Sequence, residues 1–123
     1  MKRVLAIAVL TMATPASAFM AENDLIVRST GGTSFEVPYR GLSGASDFWC
    51  AAGDYVIREL NRPGNTKIYR TSSPPRRSGQ GITFSLSSDG AKRTGLFVLG
   101  NPRGISASFA RNLCDMRFLP ADE

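Results

Sequence analysis

The sequence predicts an α+β fold in the order β-β-α-β-β-β-α, an antiparallel sheet of about five strands with two helices packed on one face. Three observations predict it. Short β-branched and aromatic runs alternate in period two between Gly-containing turns. One longer stretch repeats apolar residues at three- and four-residue spacing. Two cysteines lie one in that stretch and one near the C-terminus.

Asp24 to Ser29 and Thr33 to Tyr39 read as a hairpin, with Gly31-Gly32 as a turn that permits positive φ. Phe35, Val37 and Tyr39 alternate with Ser34 and Glu36, so the apolar set faces one side, and Pro38, which lacks an N–H, fits an edge or the strand's end. Ala45 to Leu60 reads as the main helix, with Ser43 or Ser46 as N-cap and Asp47 in the first turn. Trp49, Ala52, Gly53, Val56 and Leu60 form its apolar stripe, with Cys50 and Ile57 on the border. Glycine inside a helix is unfavourable, so Gly53 implies a neighbour passing close by. Arg62-Pro63-Gly64 ends the helix. Thr66 to Thr71 and Ile82 to Ser87 are the next strands, separated by the loop Ser72 to Gly81. Gly95 to Gly100, apolar on both faces, reads as a central strand, and a second helix starting near Ser106 carries Ile105, Phe109, Leu113 and Cys114 toward the first. The bridge would then join the two helices, with Trp49 lying against it.

Residues 1–18 read as a cleavable secretory signal. Met1-Lys2-Arg3 is the positive start, Val4 to Met12 the apolar run, and Ala16-Ser17-Ala18 the small-residue cleavage site. The apolar run is shorter than the roughly 20 residues that span a bilayer, so no transmembrane segment is expected after cleavage. Residues 19–123 then form one small domain, periplasmic or secreted. In an oxidising compartment Cys50 and Cys114 are expected to be bridged as a structural staple.

Loss of Lys2 and Arg3 lowers the formal charge from +5 to +3, and the remaining positive charge is concentrated between Arg58 and Arg111. Arg76 and Arg77, behind Pro74-Pro75, form an exposed basic loop, with Arg70, Lys92, Arg93 and Arg103 as candidates to join it in a binding patch. Such a patch suits an anionic envelope component or an acidic protein partner. Nucleic acid is not expected, because export disfavours it and no aromatic platform is interleaved with the basic residues.

The chain has no histidine, which removes Ser-His-Asp and Cys-His catalysis and histidine-based zinc sites. Bridged cysteines remove thiolate chemistry, and no Asp-x-Asp cluster suits calcium, so no catalytic residue, metal or cofactor is assigned. Among carboxylates, Asp47 and Asp54 share a helix face two turns apart and are expected to be solvated or capping, while Asp115, Asp122 and Glu123 belong to the C-terminal tail.

The stretch Asp47-Phe48-Trp49-Cys50-Ala51-Ala52-Gly53-Asp54-Tyr55, with a lone second cysteine near the end, resembles small uncharacterised exported proteins of Gram-negative bacteria that carry a Trp-Cys-Ala-Ala-Gly-Asp-Tyr helix. The resemblance implies a structural disulfide and a periplasmic address, and no activity. The expected function is a non-enzymatic binding module with a basic surface. An envelope accessory protein is the alternative, and a small hydrolase using carboxylates ranks behind both.

Overall fold

A computed structural model describes residues 6–7, 18–41, 44–100 and 102–115. The expected signal segment, the cap candidate Ser43 and the tail acids Asp122 and Glu123 lie wholly or largely outside the described residues.

The alternating segments form one antiparallel sheet of six strands: β1 (Phe19–Met20), β2 (Ile26–Gly31), β3 (Ser34–Val37), β4 (Lys67–Arg70), β5 (Ile82–Ser85) and β6 (Gly104–Ser106). Their spatial order is β1-β2-β3-β5-β4-β6. The register places Phe35 opposite Phe84, and Phe84 opposite Arg70, on one face. Val27, Phe35, Val37, Ile68, Ile82 and Phe84 are buried, as period-two strands with one covered face require. β3 ends at Val37, immediately before Pro38.

The main helix, α1 (Ala45–Asp54), continues as a π-helical turn over Tyr55–Glu59, in which the Leu60 N–H donates to the Tyr55 carbonyl at 3.0 Å. α1 is buried on nearly every side, between the sheet and the second helix, α2 (Ala107–Asn112). Trp49 meets Phe84 edge-on with ring centroids 4.8 Å apart, and Phe35 stacks on Phe84 and tilts against Tyr55. Gly53 is where α2 crosses: a Cβ there would lie 2.5 Å from the Arg111 amide nitrogen and 2.7 Å from the Ala107 carbonyl. Cys50 and Cys114 are bridged, with Cα atoms 4.8 Å apart, which fastens α1 to the short turn after α2. Among the described residues no helix is long and apolar enough to cross a membrane.

Several elements differ from expectation. Residues 95–100 form no strand. Gly95 and Gly100 take φ of 76° and 84°, outside the range of extended chain, and the place beside β4 is filled by β6, with Ile105 opposite Ile68. The two-residue β1 is an additional strand, too short for a period to be read. The α1 N-cap is Gly44, with no side-chain hydrogen bond, and Ser46 lies within the helix. The second helix does start where expected, capped by Ser106, whose Oγ accepts from the Phe109 N–H at 3.1 Å. Phe109 itself is exposed, because Ala107 and Ala110 make the close approach to α1 and a phenyl ring has no room there. Trp49, expected beside the disulfide, packs on the sheet. Asp54, expected to be solvated, is fully buried.

Candidate functional site

The loops after β4 and β5 meet at the sheet end nearest Arg70. The first is an extension of the β4–β5 ladder: the Thr71 N–H donates to the Thr83 carbonyl at 2.9 Å, the two threonine hydroxyls are 2.8 Å apart, and the Thr83 N–H donates to Ser72 Oγ. Its tip is closed at Arg76–Gln80. The Gln80 N–H donates to the Arg77 carbonyl, the Arg77 N–H to Gln80 Oε1, and Arg76 Nη1 to the Gln80 carbonyl at 2.9 Å. Arg76 also lies over the rings of Phe48, 4.8 Å from its centroid, and Tyr39, at 5.6 Å. Its guanidinium therefore seals the end of the core as well as fixing the loop.

Arg70 connects the two loops from inside. It is 0% exposed, on the same face as Phe84. Its Nε donates to the Ser72 carbonyl at 2.9 Å and its Nη1 to the Thr94 carbonyl at 3.2 Å, while its own carbonyl accepts from the Lys92 N–H at 2.7 Å. The Thr94 carbonyl also accepts from Trp49 Nε1 at 2.9 Å. One buried guanidinium thus holds the start of the first loop and the middle of the second, using the rigid fork that an ammonium lacks.

The result is an open depression of about 330 Å³, lined among the described residues by Ser73, Pro74, Lys92, Arg93 and Arg103. Three of these are cations and none is an acid. Arg103 Nη1 donates to the Ala91 carbonyl at 3.1 Å, which draws the two ends of the 92–103 segment together. Among the described residues Lys92, Arg93 and Arg103 enter no ion pair, and all three are exposed. Their charge is directed at solvent.

The structure thus brings together Lys92, Arg93 and Arg103 and adds Ser73 and Pro74. Arg77 is exposed but does not line the depression. Arg70, expected on the surface patch, is a correction: it is buried, and its hydrogen bonds hold the two loops that carry the exposed cations. Its position in strand period with Ile68 was the available signal, overridden by the expectation that arginine is exposed.

A second charged cluster is structural. Asp54, 0% exposed, accepts from Arg58 Nε at 2.6 Å and from a second Arg58 nitrogen, and from the Glu22 N–H at 3.0 Å, with Arg111 Nε 3.5 Å away. Burial pushes its carboxyl up, but the Arg58 and Glu22 hydrogen bonds and the charges of Arg58 and Arg111 outweigh it, and the net shift is below the ordinary aspartate value. Glu22 also lies near the sulfurs of Cys50 and Cys114, but disulfide sulfurs are not thiolate ligands.

Comparison with protein-family models, with curated proteins and with solved structures finds no match to this chain.

Proposed function

We propose that this chain is an exported binding module that receives an anionic group in the depression lined by Ser73, Lys92, Arg93 and Arg103. The observation that carries the reading is the convergence of Lys92-Arg93 and Arg103, which enter no ion pair among the described residues, beside a serine hydroxyl, on loops held by a buried arginine. Cations spread for solubility alone need no such internal anchor. The disulfide accords with an oxidising compartment.

The depression is open, so each contact is solvent-screened and contributes about 0.2–1 kcal/mol, as exposed ion pairs do. A single small anion is therefore held weakly, and a ligand presenting several negative charges is favoured. Catalysis has no support in the lining: Lys92 is exposed, no base lies beside Ser73 among the described lining residues, and Asp54 is occupied by its arginines.

The test is titration of the mature domain with a heparin hexasaccharide as a soluble polyanion. Binding should weaken with salt and fall by roughly tenfold in the double variant Lys92→Glu, Arg93→Glu, in which two attractive contacts become repulsive. Binding that is insensitive to both would remove the depression as the site.

A further inference from the structure

Residues 95–100 follow directly from the wall of the depression and carry the most exposed large apolar side chains among the described residues. Phe97 is 90% and Leu99 99% exposed, whereas Leu96 and Val98 are half-buried and Leu96 packs on the core. The loop is not a slack connection. It leaves from Thr94, whose buried carbonyl is held by Trp49 and Arg70, and returns at Arg103, which bonds the Ala91 carbonyl just before β6. Gly95 and Gly100, both at positive φ, make its two bends. The outcome is a loop with two almost fully exposed apolar side chains, flanked along the chain by the cations Lys92, Arg93 and Arg103 that line the depression.

From this juxtaposition we infer that the 95–100 loop is an interfacial membrane anchor: Phe97 and Leu99 enter the headgroup–acyl boundary of an anionic bilayer while Lys92, Arg93 and Arg103 meet lipid phosphates. The inference rests on the depression being an anion site and names the source of the anion. A bilayer accepts exposed apolar side chains without a matching groove, and its negative surface complements the cations that flank the loop. A second copy of the chain fits less well, because pairing two such loops about a two-fold axis would bring the same three cations together. A protein partner would need both a preformed apolar pocket and an acidic rim.

The experiment compares co-sedimentation of the mature domain with vesicles of phosphatidylcholine mixed with phosphatidylglycerol and with phosphatidylcholine alone, alongside the heparin hexasaccharide titration. The wild-type domain should bind the anionic vesicles and not the neutral ones. Phe97→Ser with Leu99→Ser should weaken vesicle binding by roughly tenfold or more while changing hexasaccharide affinity by less than about twofold. Phe97→Trp should shift its emission to shorter wavelength on anionic vesicles, a change that buried Trp49 cannot mimic. Equal vesicle binding by the serine variant, or no emission shift, overturns the inference. If vesicle binding is absent while hexasaccharide binding persists, the lipid inference falls and the anion site stands; loss of both removes both. Self-association abolished by the serine variant, without vesicle binding, would assign the loop to a second copy instead.

Discussion

Asp54 and Arg70 are charged side chains placed where charge is expensive, and each is surrounded by the partners that such burial demands. For Asp54 these are Arg58, Arg111 and the Glu22 N–H. Because the folded carboxyl releases its proton more readily than the unfolded one, whose value is about 3.9, protonation favours unfolding. The contribution is complete above about pH 5 and is lost as pH falls through 3.9 and then through the folded value. Asp54→Asn should therefore destabilise the domain by about 1–3 kcal/mol at neutral pH and flatten the acid limb of its stability curve, as urea midpoints across pH would reveal. Arg70→Lys retains the charge but cannot bridge the Ser72 and Thr94 carbonyls with one planar group. It should weaken anion affinity several-fold although residue 70 touches no ligand. Arg70→Lys with wild-type affinity and stability would mean that the two loops hold their arrangement without the fork.

At the scale of elements, α1 and α2 meet through the smallest side chains available, Gly53 against Ala107 and Ala110. A methyl at Gly53 gains up to about 1 kcal/mol in helix propensity, but it enters a space bounded by backbone atoms, where overpacking costs about 1–3 kcal/mol. Gly53→Ala should consequently lower stability, measured as a reduced thermal midpoint. This close approach was legible in the sequence, because glycine inside an otherwise good helix has few other physical reasons. So were the β2–β3 hairpin and the Ile82–Ser85 strand, whose alternation admits one register, and the start of the second helix near Ser106. The run at 95–100 was misleading. Four apolar positions between glycines look alike whether they cross a sheet or lie in a loop, and only the prior claim of β6 on the edge of β4 decides between them. Of the site, Lys92, Arg93 and Arg103 could be named from charge, but their meeting with Ser73 and Pro74 depends on the long-range bonds of Arg70 and Thr94, which leave no local pattern.

Across the whole molecule, the disulfide fastens the helical layer at one place and the Arg70 hydrogen bonds fasten the loops at another. The bridge closes a separation of 64 residues, for which loop entropy gives about 4 kcal/mol of stabilisation. Reduction should lower the urea midpoint accordingly, while anion binding by whatever fraction stays folded should persist, since the depression receives nothing from Cys50 or Cys114. Whether the cations around Ser73 form one receiving surface is read out by amide chemical-shift mapping with the heparin hexasaccharide. Perturbations concentrated at Ser73, Lys92, Arg93 and Arg103 are the predicted result. Perturbations centred elsewhere, on Arg28, Arg40 or Arg62 for example, or spread evenly over all exposed cations, would contradict it.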